Sequence, residues 1–503
     1  MKGNVLVIEA GSHGDSFIFN IPIGQPLLQR SLLDWQFETT SQENSCQALN
    51  ENQSFWPMGK ILGGTHRLNN MIYHKGHPSD YESFIDKEEA EKFFRENENF
   101  VQEGNFKSSL AENFIEAAKE LGFEDFSFTN LTQVNGWRYT EVDRWKTMVA
   151  APEVCRNAMV ISILFDGENS TKAIGVEFSK NGKMHKVFGN KIVLSAGVIG
   201  SPKILMQSGI GPKNHLESIG IKVLVDLPVG ENLQDHVTTG SDLIILNQTV
   251  GLDLKNILNP FKILDFFIFN GDSSPLSFGG CDAMGFVKLN LSSKAPDLSL
   301  MLLPVGLVAD SGIHLRKIQN IRDRIWQEYF KPLRGQTTIT ILPVLLHPKS
   351  RGSVKLKSKN FNDPPIINPN YLSDEDDVKK LITGIRIIKK LVETSSMQKF
   401  GAEINPKKFP GCENLVIDSN DYWECYLRHM TLTMFHPVGT CRIGEFDEKS
   451  TVVLKNFQVK HTESLYVVDG SVLPKATSAN PNAVIAMIAK KFAQNMSNLL
   501  NKT

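Results

Sequence analysis

Two stretches near the N-terminus carry residues that could hold a ribose-bearing, anionic ligand. The apolar run Val5-Leu6-Val7-Ile8 ends in Glu9, followed by Ala10-Gly11. A carboxylate at the tip of such a strand can accept hydrogen bonds from ribose hydroxyls in a dinucleotide-binding fold. Met58-Gly59-Lys60-Ile61-Leu62-Gly63-Gly64-Thr65 is a glycine-rich turn. Paired glycines let a backbone approach a planar or phosphorylated ligand closely, with successive N–H groups facing its anionic part. Read alone, the first is an ordinary strand-end acid and the second a tight turn. A Gly-x-Gly-x-x-Gly pyrophosphate turn should precede such an acid by about 20 residues. Only eight residues stand before Glu9, so that turn and its strand are expected to be missing from the sequence given.

The elements that must position these residues follow from pattern. Lys191–Ile210 reads as strand, turn and helix, with Ile192-Val193-Leu194 apolar, Ala196-Gly197 turning, and Ser201-Pro202 starting the helix. Proline suits a first helical turn because its missing N–H has no intrahelical partner there. Charged Asp86–Asn97 and amphipathic Ser109–Leu121 are expected helices. From about 240 to 430 strands at Thr337–Leu342 and Gly352–Leu356 accompany a helix at Asp376–Leu391. Strand Leu465–Val468, turn Asp469–Pro481 and helix Ala483–Leu500 close the chain. Strand–helix units at both ends with sheet-rich sequence between them argue for a discontinuous nucleotide-binding domain of α/β class carrying an inserted α+β domain.

The 503 residues exceed one core, and 41% hydrophobic with 22% charged residues fits a globular protein. A net charge of −1 gives no electrostatic case for nucleic acid or an anionic membrane. The apolar runs Ile339–Leu346 and Leu264–Phe269 are too short to span a bilayer. No cysteine or histidine pair has zinc-site spacing, so no metal is expected. Cys412 and Cys425 flank a polar loop and either pair in an oxidising compartment or stand as free thiols. No signal peptide precedes Val5, while seven Asn-x-Ser/Thr sequons permit secretion of a full-length form. Compartment and oligomeric state stay open.

Four further segments bind these clues together. Ala196-Gly197-Val198-Ile199-Gly200-Ser201-Pro202 through Gly211-Pro212, and Pro228-Val229-Gly230-Glu231-Asn232-Leu233-Gln234-Asp235-His236, are followed by Phe435-His436-Pro437-Val438-Gly439-Thr440-Cys441-Arg442 and by Val467-Val468-Asp469-Gly470-Ser471 leading to Asn480-Pro481-Asn482-Ala483. In this order, from residue 5 to 493, they resemble the glucose–methanol–choline oxidoreductase family. Pro410-Gly411-Cys412-Glu413 and Asp421-Tyr422-Trp423-Glu424-Cys425 are similar to its insect glucose-dehydrogenase-like branch.

The resemblance implies an FAD-binding Rossmann-like domain from residues 1–80, 150–240 and 431–503. Residues 81–149 and 241–430 would supply the substrate-binding domain and connecting segments. It implies oxidation of the CH–OH group of a sugar or steroid-like alcohol, with hydride passing to flavin N5 and then to a quinone-like acceptor or oxygen. His436 matches the family's base; histidine suits the role because its pKa lies near working pH. Asn480 matches the partner that orients the substrate oxygen. Glu9, Gly11, Gly63, Gly64, Asn69, Asp469, Gly470 and Asn482 match cofactor-binding positions. Leu68 stands where some relatives carry a flavin-linking histidine, so FAD is expected to be non-covalent. His236 and His429 read as structural.

The departures are Thr65-His66 in place of two small residues, Val198 at a position often smaller, and shortened passages after Tyr81 and over Thr140–Ile163. They keep open a truncated, non-catalytic member that binds flavin poorly. Hydroxynitrile lyase chemistry in the same pocket is a third reading.

Overall fold

A computed structural model describes residues 4–14, 17–97, 102, 103, 108–123, 129, 130, 132, 133, 153–268, 274–290 and 292–500. In chain order the elements that frame the site are β1 (Leu6–Ile8), α1 (Lys87–Asn97), α2 (Ser109–Glu120), β2 (Thr129–Asn130), β3 (Glu153–Cys155), β4 (Ala158–Phe165), β5 (Ala173–Lys180), β6 (Lys183–Phe188), β7 (Ile192–Leu194) and α3 (Gly197–Gln207). After these come β8 (Val237–Thr238), β9 (Ile244–Leu246), β10 (Ala283–Val287), β11 (Leu298–Leu303), β12 (Thr337–Leu345), α4 (Glu375–Glu393), β13 (Glu403–Ile404), α5 (Asn420–His429), β14 (Leu432–Thr433), β15 (Leu465–Val467) and α6 (Asn482–Leu500). The protein is α/β.

Parallel pairing marks one part of the fold. β1 pairs with β3, Leu6 opposite Glu153, and β7 pairs with β15, Ile192 opposite Leu465. Among the described residues the other edge of β1 carries no strand. Leu6 is 41% exposed there, as an apolar strand without a second neighbour would be. An antiparallel sheet β6–β5–β4 lies beside these pairs. One buried core gathers Leu194, Leu205, Val438, Leu465, Val467 and Val484, joining segments distant in sequence.

The other part is an antiparallel sheet in the order β13–β9–β12–β11–β10–β2, with β8 bridging β12 and β14. α4 covers one face. Asp374 caps it by accepting from Asp376 N at 2.9 Å, and acids at 375–377 suit the helix N-terminus. Val378, Leu381, Ile385, Ile388 and Val392 are buried at helical spacing. Gly384 lets α4 close on the sheet, since a Cβ there would sit 2.7 Å from Pro343 Cβ. Cys412 and Cys425 form a disulfide between α5 and the loop before it.

Expected helices and strands are present with small shifts, and one expectation needs correction. Pro202 does not begin its helix. α3 starts at Gly197, which leaves Pro202 in its second turn. Proline there cannot donate to the carbonyl four residues earlier, which belongs to Val198. That oxygen instead accepts from Thr440 Oγ1 at 2.6 Å. Most of the Thr140–Ile163 segment, Glu141–Pro152 included, lies outside the described residues. No helix among them is long and apolar enough to cross a membrane.

Thr440→Val should leave the Val198 carbonyl without a donor and lower stability by about 1–3 kcal/mol. Adding Pro202→Ala should restore part of that loss by supplying the missing N–H. Urea midpoints of the single and double variants measure both effects, and an unchanged midpoint for Thr440→Val removes the explanation.

Candidate active site

The segment Gly230–Val237 runs between two loops and bonds to both. Gly230 N donates to Thr440 O at 2.8 Å, and Gln234 N to Val438 O at 3.0 Å. Gln234 Oε1 accepts from Ala476 N at 3.2 Å and its Nε2 donates to Pro474 O at 3.2 Å. Asn232 Nδ2 reaches Gly439 O at 3.2 Å and Pro474 O at 3.3 Å. Gly439 has φ +101, and a Cβ there would meet Asn232 O at 2.5 Å, so glycine is required. The loop of His436 and the loop of Asn480 are thus aligned on one strand.

Their side chains meet. Asn480 Nδ2 lies 3.0 Å from His436 Nε2. His436 Nδ1 lies 2.9 Å from His236 Nδ1, with the two rings edge to face at 88°. His236 Nε2 lies 2.8 Å from Thr477 O. A carbonyl only accepts, so His236 carries its proton on Nε2 and, when neutral, offers a lone pair at Nδ1. His436 must then carry its proton on Nδ1. Its Nε2 is left as the lone pair, which accepts from the Asn480 amide. Burial pushes His436 down to about 3, well below the working pH expected of it from sequence, and burial together with the neighbouring His436 holds His236 well below its ordinary value. Both rings are neutral at physiological pH.

Beneath this chain sits Asp235. Its carboxylate accepts from Thr433 Oγ1 at 2.6 Å, from His436 N at 2.9 Å and from the Tyr371 hydroxyl. Trp56 Nε1 donates to the Tyr371 hydroxyl at 3.2 Å. Burial raises Asp235 to about 6 against the lowering effect of these donors. The backbone of His436 is therefore pinned by a buried acid as well as by its ring.

The cofactor-side residues separate into two groups. Glu9 ends β1 and accepts from Gly11 N at 2.6 Å. A Cβ on Gly11 would lie 2.0 Å from Lys60 O, and one on Gly59 would lie 2.3 Å from Gly64 O. The strand tip and the glycine turn therefore touch through bare backbone. Gly64 (φ +60) has nothing within 4 Å of the Cβ position, leaving its backbone open to a ligand. Asp469, by contrast, is consumed inside the fold: it accepts from Ser201 Oγ at 2.5 Å, Gly197 N at 3.0 Å and Ser471 N at 2.8 Å. Asn69 Oδ1 accepts from Met71 N at 2.9 Å. Asn482 Nδ2 donates to Ile72 O at 2.9 Å, tying α6 to the loop after the glycine turn. Gly470 packs on Ile485, 3.0 Å from a Cβ there. The side chains of Asp469, Asn69 and Asn482 hold neighbouring backbone, whereas Glu9, Gly11, Gly63 and Gly64 stand at the strand tip and the glycine turn that meets it. An acidic strand tip beside open glycine backbone fits a flavin dinucleotide, whose ribose hydroxyls donate and whose pyrophosphate accepts.

His236 is the group that the sequence left as structural but that touches His436. The signal was its place in the Gln234-Asp235-His236 run. His429 donates through Nδ1 to Cys425 O at 2.9 Å, beside the disulfide and away from this chain. Cys412, Cys425 and His429 cluster closely, but the disulfide occupies both sulfurs.

Family models of GMC oxidoreductases match residues 5–238 and 348–489. An alcohol dehydrogenase [acceptor] from Pseudomonas putida is 30% identical over 97% of this chain and 90% of its own length. Glucose dehydrogenase [FAD, quinone] from Drosophila melanogaster is 29% identical over 97% and 82%. The crystal structure of pyridoxine 4-oxidase from Mesorbium loti superposes with a TM-score of 0.77 at 23% identity, covering 99% of this chain and 95% of that one.

The proton arrangement makes a spectroscopic prediction. In 15N NMR, His436 should be an Nδ1–H tautomer, titrating near pH 3 rather than its ordinary 6.5. Because the folded value is lowered, its contribution to stability is whole above about 6.5. It is lost at about 1.4 kcal/mol per pH unit as pH falls toward the folded value. His436→Gln should lack that part of the slope. An Nε2–H tautomer, or a midpoint near 6.5, would discard the arrangement.

Proposed function

The chain belongs to the GMC oxidoreductase family, and from that premise we propose that it oxidises an alcohol with His436 as the base and non-covalently bound FAD as oxidant. When bound, FAD supplies the hydride acceptor, flavin N5. Glu9 would meet an adenosine ribose, and the backbone at Gly11, Gly63 and Gly64 would line the anionic and planar parts. Asn69, Asp469, Gly470 and Asn482 hold the loops that shape the cradle. Leu68 is buried and apolar and offers no atom for a covalent link.

The supporting observation is the Nε2 lone pair of His436 facing the amide of Asn480 at 3.0 Å. A substrate hydroxyl entering between them would give its proton to Nε2 and accept from Asn480 Nδ2. As that proton leaves, negative charge grows on the oxygen, and the amide donor stabilises it. The imidazolium formed keeps its Nδ1–H on the His236 lone pair, so the new charge is shared without moving either ring. Electrons would leave to a quinone-like acceptor or oxygen. The Cys412–Cys425 disulfide supports folding in an oxidising compartment.

His436→Ala should slow alcohol-dependent flavin reduction by about 100- to 10,000-fold, and Asn480→Ala by about 100-fold. Both should retain bound flavin by visible absorbance. Stopped-flow reduction measures the rates; an unaltered rate in His436→Ala defeats the assignment of the base.

A further inference from the structure

The loop that carries Asn480 has a second set of anchors beyond the segment Gly230–Val237. Asp80 is fully buried and closes a short helical turn, Pro78–Asp80. Its Oδ2 accepts from His77 N at 2.9 Å, which caps that turn, and from Ser478 N at 2.8 Å. Gly76 clears space for it, since a Cβ there would lie 2.8 Å from Oδ2. Capping uses Oδ2 alone. Oδ1 accepts from Ser478 Oγ at 2.9 Å. The same hydroxyl lies 3.1 Å from His347 Nε2, and His347 Nδ1 lies 3.1 Å from Ala476 O. His347 stands just beyond β12, so three segments distant in sequence meet at Ser478, two residues before Asn480.

These contacts cannot all be hydrogen bonds unless a proton is added. The Ala476 carbonyl only accepts, so His347 Nδ1 carries a hydrogen. The Ser478 hydroxyl has one hydrogen, while Asp80 Oδ1 and His347 Nε2 both face its oxygen. With Asp80 ionised and His347 neutral, two lone-pair atoms compete for that hydrogen and one contact must open. One further proton satisfies both. On Nε2 it makes an imidazolium that donates to Ser478 Oγ while the hydroxyl donates to Asp80. Burial lowers the His347 pKa against the raising effect of Asp80. A proton driven from Nε2 passes to Oγ as the hydroxyl hydrogen passes to Oδ1. It stays within the triad.

We propose that Asp80, Ser478 and His347 are positioning residues for Asn480, which hold its loop through one retained proton and release it when that proton leaves. The proposal rests on Asn480 being the donor to the substrate oxygen. The titratable and charged groups around the triad are His74, His77 and Tyr81 near Asp80, with Lys475, Asp297 and His236 near His347. Burial drives His74 down to about 4 and holds His236 well below its ordinary value. Burial also pushes Tyr81 up to about 12. Asp297 pairs with Lys380 at 3.0 Å. A carboxamide at position 80 would imitate the proton-loaded state permanently. Its nitrogen can donate to Ser478 Oγ while its oxygen accepts from the two main-chain N–H groups.

Urea midpoints of the flavin-loaded protein, and its flavin reduction by benzyl alcohol or glucose, test this from about pH 6 to 10. An unfolded histidine releases its proton near about 6.5. A folded triad that keeps the proton longer gives stability that is whole below that value and is lost as pH rises. The wild-type midpoint should therefore fall across the range more steeply than that of Asp80→Asn. Its rate of flavin reduction should fall at least about tenfold, bounded by the roughly 100-fold that losing the Asn480 donor costs. Asp80→Asn should keep the acid-side rate and show no such fall. His347→Gln, which cannot titrate, should also lack the steep midpoint slope and decides the matter if Asp80→Asn does not fold. A slope that belongs to Lys475 would persist in both variants. The same midpoint slope in wild type and variants overturns the proposal. If the midpoints differ as expected but neither alcohol reduces the flavin, or the rate is flat, the proton-holding clamp stands and the reading of Asn480 as donor falls.

Discussion

His436 and Asn480, 44 positions apart in the chain, can act on one hydroxyl as proposed only if something holds both loops to the same coordinate. The backbone from Gly230 to Val237 does this. It exchanges main-chain hydrogen bonds with Val438 and Thr440 on one side, and Gln234 and Asn232 secure Pro474 and Ala476 on the other. Buried backbone groups must be paired, so sliding either loop would strand several donors at once. The same segment delivers Asp235 and His236 beneath and beside the base.

The electrostatics follow from enclosure. His436 and His236 would repel as cations, and desolvation keeps both neutral. Their proton order is not a matter of chance: the Thr477 carbonyl fixes one tautomer and through it the other. Asp235 is a buried acid under the loop, and it acts on main-chain N–H and hydroxyl groups. It therefore stiffens the position of His436 without changing which nitrogen is basic.

Much of this was legible in the sequence. The His436 and Asn480 motifs, the acidic end of β1 and the glycine turn are built from residue types that few alternatives can replace at those points. What escaped depends on register and partnering. The His236–His436 contact joins residues 200 positions apart, and neither motif states the distance. The hydrogen bonds of the Asp469 carboxylate to Ser201 and Gly197 are likewise unstated by its motif. Pro202 reads as a helix start because local rules favour it there, and only Thr440 from a remote loop makes a second-turn position tolerable.

The same difference explains why family membership and substrate class separate. Positions that clasp a cofactor or carry the base are constrained atom by atom, so they persist in recognisable motifs at 29–30% identity. The wall of β10, β11 and β12 is constrained only to alternate and to fill space, and methionine, leucine, valine or phenylalanine satisfy that equally well. A relative's substrate name therefore carries little information about what this chain binds.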